Sequence, residues 1–403
     1  MQERNLTVET PWFDSLKPNM QGGHSIDLLE GGRDFFSELE REIGAAQERI
    51  FIETYIFEDD ASGRKIAHAL AAAADRGVTV NLTIDGFGTA KLKGEVASVL
   101  NASKVNLAVF RPDGGLWSLN RQRLRRLHRK LSVFDGHTAF VGGINMLDDY
   151  FDPNHGVLEA PRFDFAVKVK GPVVATIHLA MQRLWWELRI LSRKDRVSIP
   201  DSVLTTILDG GKYKAMFVPR DNFRFRRTIE QTYLKAIGSA RHEVLIANAY
   251  FLPGVRFRRA LTEAASRGVR VRLLLQGLME YRLQHYASKA MYGQLLHAGV
   301  EIIEYKKSFL HAKVAVIDNW ATVGSSNIDP FSLLLAREAN IVIENPQFAQ
   351  QLREAIERGI LDGGEPVLVK NFERRTPLVR FAHWFSFIVL RFAVALTGAS
   401  GKF

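Results

Sequence analysis

His128, Lys130 and Asp135 stand in the spacing His-x-Lys-x-x-x-x-Asp, and His311, Lys313 and Asp318 repeat it. Each copy is followed by a turn of small residues ending in Asn: Gly142-Gly143-Ile144-Asn145 and Gly324-Ser325-Ser326-Asn327. Residues two apart on a strand face the same way, so each His shares a face with its Lys. If the two strands meet across a pseudo-twofold axis, two imidazoles and two ammonium groups converge on one point. Such a cluster suits a tetrahedral anion. The lysines would neutralise phosphate oxygens, most strongly as charge spreads in the transition state. One imidazole can attack phosphorus while the other protonates the departing alkoxide. Asn145, Asn327 and Ser325 are candidate donors to the same oxygens. Because cationic side chains already supply the charge, neither a metal nor another cofactor is expected.

A nucleophilic imidazole must be neutral, with its attacking nitrogen bare. A carboxylate on the other ring nitrogen would orient it and stabilise the imidazolium. Asp164 in RFDFAVKVKGP and Glu338 in LLLAREANIVIE are the candidates. Each is an acid entering an apolar strand, where an unpaired charge is expensive. A single His-x-Lys on a strand is ordinarily a solvated face; duplication with equal internal spacing and the same Gly…Asn sequel argues for chemistry. Asp135 and Asp318 belong to the motif, yet they fall at the far end of each strand, in hairpin turns, where a structural role is also open. The basic run Arg121, Arg123, Arg125, Arg126, Arg129 reads either as a solvated face or as an approach patch for anionic lipid or phosphate.

The elements that position these residues also repeat. ERIFIETYIF (48–57) parallels HEVLIANAYF (242–251), and KIAHALAAAADRGVTVNLTIDG (65–86) parallels RRALTEAASRGVRVRLLLQG (258–277). The second pair reads as a helix, a stop at Gly77 or Gly268, and a strand. The motifs predict hairpins, Lys130–Phe134 with Thr138–Val141, and Lys313–Ile317 with Ala321–Val323. Strands alternating with helices argue for an α/β fold with mixed sheets, in two similar halves about a pseudo-twofold axis. A helix over Val174–Ser192 leads to a boundary near Asp201–Lys212. The expected domains are 1–200, 201–370 and a C-terminal segment, 371–403.

The chain has 403 residues, no cysteine, a formal net charge of +10 and a pI near 9.7. Disulfides and a Cys nucleophile are excluded, and a reducing compartment fits. The charge favours anionic partners: nucleic acid, lipid headgroups or acidic metabolites. Glu3, Glu9 and Asp14 interrupt the N-terminus, which does not read as a secretory signal. From Thr376 to Thr397 the chain runs TPLVRFAHWFSFIVLRFAVALT. Its length could span a bilayer, but Arg391 would be costly inside one. At about 100° per residue, Arg380 and Arg391 project to one side with His383 nearby, a basic stripe on an apolar helix. We read it as lying in a membrane interface with Trp384 near the headgroups, against the alternatives of a packed terminal helix or a true span.

With both motifs intact, the chain resembles the phospholipase D superfamily, whose hallmark is the duplicated His-x-Lys-x4-Asp. The resemblance covers about residues 32 to 360 and, through IFEDDASGRKI, ANAYFLPG and LHAKVAVIDNWATVGSSNIDP, extends to the bacterial cardiolipin synthases of the shorter, B type. It implies phosphatidyl transfer between two phosphatidylglycerol molecules, giving cardiolipin and glycerol. It implies His128 as nucleophile, through a phosphatidyl-histidine, and His311 as general acid, then base. Lys130, Lys313, Asn145 and Asn327 would bind phosphate. One departure is Gly143, where many first motifs carry Ser. The setting implied is the bacterial inner membrane, peripheral and on the cytoplasmic side, with phosphatidylglycerol and an anionic surface as partners. The alternatives are a nucleic-acid phosphodiesterase, another phospholipid reaction, and a non-catalytic membrane-binding protein. Nothing in the sequence sets the oligomeric state.

Overall fold

The structure, a computed structural model, describes residues 16–112, 125–191 and 211–395. The first half runs β1 (Gln21–Glu30), α1 (Gly31–Ala45), β2 (Arg49–Thr54), α2 (Ala61–Asp75), β3 (Thr79–Asp85), α3 (Gly94–Ala102) and β4 (Asn106–Phe110). It continues through β5 (Lys130–Phe134), β6 (Thr138–Gly142), the small hairpin β7 (Phe151–Asp152) and β8 (Gly156–Val157), β9 (Phe165–Lys170) and α4 (Val173–Leu191). The second half opens with β10 (Tyr213–Arg220), α5 (Thr228–Ser239), β11 (Glu243–Asn248), α6 (Val255–Ser266) and β12 (Arg270–Gln276). Next come α7 (Arg282–Lys289), α8 (Tyr292–His297), β13 (Glu301–Tyr305), β14 (Lys313–Ile317), β15 (Trp320–Gly324) and α9 (Pro330–Leu334). It closes with β16 (Glu338–Glu344), α10 (Pro346–Gly363), β17 (Gly364–Pro366), α11 (Val369–Glu373) and α12 (Pro377–Val394). Residues 201–210 of the expected boundary lie outside the described residues.

Local chemistry sets the element limits. Phe35, Leu39 and Ile43 give α1 a buried stripe at helical spacing. The Asp60 carboxylate accepts from the Gly63 amide at the start of α2, and Asn345 accepts from Phe348 at the start of α10, where Pro346 fills the first turn. Gly77 and Gly268 follow α2 and α6 with φ of 94° and 88°, the left-handed cap that the repeat predicts.

The strands follow the order β17-β13-β12-β11-β14-β15-β16-β10-β1-β9-β6-β5-β2-β3-β4. Each half thus has the same internal order, with parallel pairs among β2, β3 and β4 and among β11, β12 and β13, and antiparallel pairs elsewhere. The halves join at β1 and β10 only through Gln21–Ala215 and His24–Tyr213, with an irregular register between them. There the sheet turns back, and β6 and β9 pack on β15 and β16. Val141, Val167 and Val169 meet Val323, Ile341 and Ile343 in the shared core, which α4 and α10 complete. On the outer faces, α1, α2 and α3 cover one half, and α5, α6 and α8 the other. This layering brings the starts of β5 and β14 together at the carboxyl ends of the parallel strands, the edge where open α/β sheets place ligands.

Helix α12 departs from its expected pattern. It lies on α7 through His383, Ser386, Leu390 and Val394, and Leu390 and Val394 share a small core with Leu252, Ala287 and Met291. Arg380 and Arg391 are exposed, but His383 is buried beside the Tyr286 ring, so it does not belong to a basic stripe. The rest of the helix surface is apolar and uncovered among the described residues, including Leu378, Phe381, Trp384, Phe385 and Phe392. Only 22% of the Pro377–Val394 window is buried, so this is not a core helix.

Candidate active site

His128 and His311 each precede the strand that carries the motif lysine. A strand-end side chain fixes each one. The Asp85 carboxylate accepts from the Leu127 amide at 2.8 Å, and the Gln276 carbonyl accepts from the Leu310 amide at 3.0 Å. These matched residues escaped the sequence reading, although both immediately precede the Gly that ends each repeated strand. The other half holds the backbone: the His128 amide donates to Arg337 O at 2.9 Å, and the His311 amide to Phe163 O at 2.9 Å.

The carboxylates cross between the halves. His128 Nδ1 lies 2.9 Å from Glu338 of the second half, and His311 Nδ1 lies 2.7 Å from Asp164 of the first. Neither half contains a complete pair. With Nδ1 engaged, Nε2 is the atom left for chemistry; among the described residues it makes no hydrogen bond in either ring. The rings retain 17% and 20% side-chain exposure, whereas both carboxylates are buried. Lys130 and Lys313 each donate back to the carbonyl of their own His, Lys130 at 2.6 Å. The Tyr55 ring packs edge-on to His128 at 4.9 Å, with the Lys130 ammonium 5.4 Å from its centre.

Burial and mutual repulsion shape the charges. Burial pushes Lys130 down to about 7 and Lys313 down to about 8, and each lysine's charge lowers the ring of its own His and of the other. His128 is held below its usual range by burial against the pull of Glu338, and His311 well below it by burial and the Lys313 charge. Burial raises Asp164 to about 6 despite Lys313. For Glu338 burial also raises, but His128, Lys130 and the Ser325 hydroxyl outweigh it and hold the carboxyl low. Burial is the largest cause of each shift, and two ammonium groups beside two bare imidazole nitrogens are suited to stabilising the oxygens of a phosphodiester.

Several expectations need correcting. Asp135 and Asp318 are not in the cluster. Asp135 accepts from the amides of Gln47, Glu48 and Arg49, and Asp318 from those of Arg241, His242 and Glu243. The five-residue strand separates them from the histidines, and the amides pull them into turns at φ 50° and 51°. Ser325 is fully buried; its hydroxyl donates to Glu338 and accepts from the Ala339 amide, so it serves the carboxylate and not a phosphate. At Gly143, the matching position, a Cβ would collide with the Asp164 carboxylate, which accounts for the missing Ser. Asn145 accepts from the Ile56 amide at 3.2 Å, which leaves its NH2 as a donor; Asn327 is buried, with a side-chain oxygen that has no partner among the described residues. Within the basic run, Arg126 is buried beside Asp85 and Arg129 pairs with buried Glu53, so neither forms an approach patch. Arg121 and Arg123 lie outside the described residues.

A cleft of about 400 Å³ opens on the cluster, lined by Tyr55, Asn145, Arg162, Asp164, Glu280 and His311 among others. Arg162 is anchored by Asp152 at 2.8 Å, and Glu280 receives the Tyr250 hydroxyl. The two residues contribute opposite charges to the cleft wall, and no motif announced either.

Residues 39–160 and 233–360 match the family described as "Cardiolipin synthase, PLD-like domain". The chain is 38% identical over 349 residues to cardiolipin synthase B of Escherichia coli K12, covering 84% of this chain and 81% of that protein. It is 37% identical over 371 residues to cardiolipin synthase B of Salmonella typhi, covering 90% and 86%. Among solved structures, the phosphatidylserine synthase of Haemophilus influenzae aligns over 96% of this chain and 97% of its own, with a TM-score of 0.66 at 12% identity, a likeness of fold.

Proposed function

We infer the reaction from one premise: the chain belongs to the family of phospholipase D-like cardiolipin synthases. It is a phosphatidyltransferase that joins two phosphatidylglycerol molecules into cardiolipin and releases one glycerol. The crossed His–carboxylate pairs, with two lysines between them, are the observation that carries the mechanism.

His128 Nε2 attacks phosphorus of the donor. The P–O bond to glycerol breaks, and His311 delivers its proton to the departing oxygen. Glu338 stabilises the charge that develops on His128. Lys130, Lys313 and the Asn145 amide face the phosphate oxygens as charge spreads. His311, now neutral, takes the proton from the terminal hydroxyl of the second phosphatidylglycerol, whose oxygen attacks phosphorus and frees His128. The books balance without a further reactant.

The protein works as a peripheral enzyme on the cytoplasmic face of the bacterial inner membrane. Support comes from the uncovered apolar surface of α12, flanked by exposed Arg374, Arg380 and Arg391, and from the net charge of +10. Purified protein given phosphatidylglycerol vesicles should form cardiolipin and glycerol in equal amounts, and His128→Ala or His311→Ala should abolish both. Cleavage of DNA or RNA with the lipid left untouched would overturn the reading.

A further inference from the structure

Helix α12 sits beside the chemistry. Its buried side chains Leu390 and Val394 rest on Leu252, just beyond β11, and on Ala287 and Met291, beyond β12, with Phe331 and Leu334 of α9 packed against them. β11 ends at Asn248, the register partner of Lys313, and β12 ends at Gln276, which holds the residue before His311. α12 therefore lies on the edge of the molecule where the cleft opens. Among the described residues, separate loop tips on that edge expose apolar side chains. Phe87 follows β3, whose terminal Asp85 holds the residue before His128, and is 55% exposed. Met279, in the matching loop after β12, is 42% exposed. Phe223 follows β10, whose last residue Arg220 is the register partner of Glu338, and is 72% exposed. Two of these tips are held in place: the Arg126 guanidinium lies 4.9 Å from the centre of the Phe87 ring, and the Asp221 carboxylate accepts from the amides of Phe223 and Phe225. Exposed cations follow each tip, Lys91 and Lys93 after Phe87, Arg282 after Met279, and Arg224 after Phe223. Singly, an exposed apolar residue needs no explanation. Together on one edge, interleaved with cations and beside the apolar face of α12, these form a surface that an anionic lipid layer fits.

We propose that the catalytic edge is itself a bilayer-docking surface: Phe87, Phe223 and Met279 enter the apolar boundary of an anionic phospholipid membrane, the cations beside them meet its head groups, and α12 lies in the same plane. This rests on the transfer reading above and deepens it, by naming the loops that hold the cleft against its substrate. The occupant follows from continuity with the apolar face of α12 and from the alternation of apolar tips and cations. Cations alone would also suit a nucleic acid, but phenylalanine and methionine tips between them gain free energy in a lipid layer. Phe87, Lys91 and Lys93 line the cleft as well as its edge, so the cleft mouth opens onto the head-group layer. A donor phosphate then enters from the side on which its acyl chains are held.

The chain has no cysteine, so a single introduced one can be labelled without background. The test labels full-length Phe223→Cys and Met279→Cys, neither of which lines the cleft, with an environment-sensitive fluorophore. Ser239→Cys, exposed beside the Asp318 turn at the opposite edge, is the reference. On adding vesicles of phosphatidylglycerol and phosphatidylcholine in equal parts, the labels at Phe223 and Met279 should shift to the blue, and the label at Ser239 should not. Phe223→Glu and Met279→Glu should each weaken vesicle binding by about 10-fold, the loss of one buried apolar side chain. Their turnover on vesicles should fall with it, while turnover on a short-chain phosphatidylglycerol kept monomeric in solution stays at the wild-type rate. Labels that remain as in water while the protein binds vesicles overturn the proposal, and so do Glu variants that bind vesicles as wild type does. A lipid-free dimer that the Glu variants dissociate, with vesicle binding unmoved, would give this edge to a second copy and also overturn it. If a Glu variant loses the soluble activity too, the labels decide. Wild-type protein that makes no cardiolipin from either form of the lipid would remove the transfer reading itself; wild-type activity on vesicles with silent labels would remove only this inference.

Discussion

Ser325 and Gly143 occupy the same place in the two halves and face carboxylates of different length. Ser325 with Glu338 fills the space that Gly143 with Asp164 fills on the other side. Each combination delivers a carboxylate oxygen to an imidazole Nδ1. Ser325→Ala removes a hydrogen bond to a charged group, worth about 1.5–3 kcal/mol. Cardiolipin formation should then slow by about 10-fold or more in kcat, with little change in KM. An unchanged kcat would show that Glu338 is held without Ser325. Gly143→Ser should be worse, because its side chain drives Asp164 off His311; wild-type activity in that variant would contradict the placement of Asp164. The motif letters, and the two acids entering apolar strands, were legible in the sequence because each breaks a local pattern. That each acid serves the other half's histidine was not legible, since it depends on how the sheet turns back at β1 and β10.

Among the elements, the motif hairpins carry the least expected result. The motif's third letter is a turn staple: one carboxylate binds three successive amides and fastens each hairpin to the end of the preceding helix–strand junction. Asp135→Ala and Asp318→Ala should each cost about 1–3 kcal/mol of stability in urea unfolding, while the folded protein keeps its turnover. A full loss of turnover at unchanged stability would return these residues to the chemistry. Burial tends to raise both carboxyls, but the amides outweigh it and hold them below their usual 3.8. A depressed carboxyl contributes stability that is full above its ordinary value and lost as pH falls through the lowered one. The wild-type hairpins should therefore loosen only below about pH 4, and the alanine variants should lack that component of acid unfolding. Both hairpins, both helix stops and the repeat were readable from turn residues and periodicity. The stapling was only half readable, because five residues of strand place the Asp away from the His without saying what it meets.

On the scale of the whole molecule, the two halves close one cleft between them, and α12 adds an apolar surface that nothing among the described residues covers. Replacing Trp384, Phe385 and Phe392 together by Glu should weaken binding to anionic vesicles by at least about 10-fold in a sedimentation assay, since each buried apolar side chain is worth about 1.5–3 kcal/mol. The fold and its unfolding midpoint should stay close to wild type, because these three side chains are exposed. Unchanged vesicle binding would put the membrane contact elsewhere. The apolar run was plain in the sequence, but the helix face that turns inward was not, because it is selected by α7. The central claim is that one centre, assembled from two crossed halves, passes the phosphatidyl group through His128. Two successive in-line displacements at phosphorus each invert configuration, so a covalent intermediate gives net retention. The direct measurement is the stereochemical course with a chiral phosphorothioate analogue of phosphatidylglycerol as donor. Retention in the cardiolipin product is the predicted result, and inversion, the mark of a single direct displacement, would contradict the account.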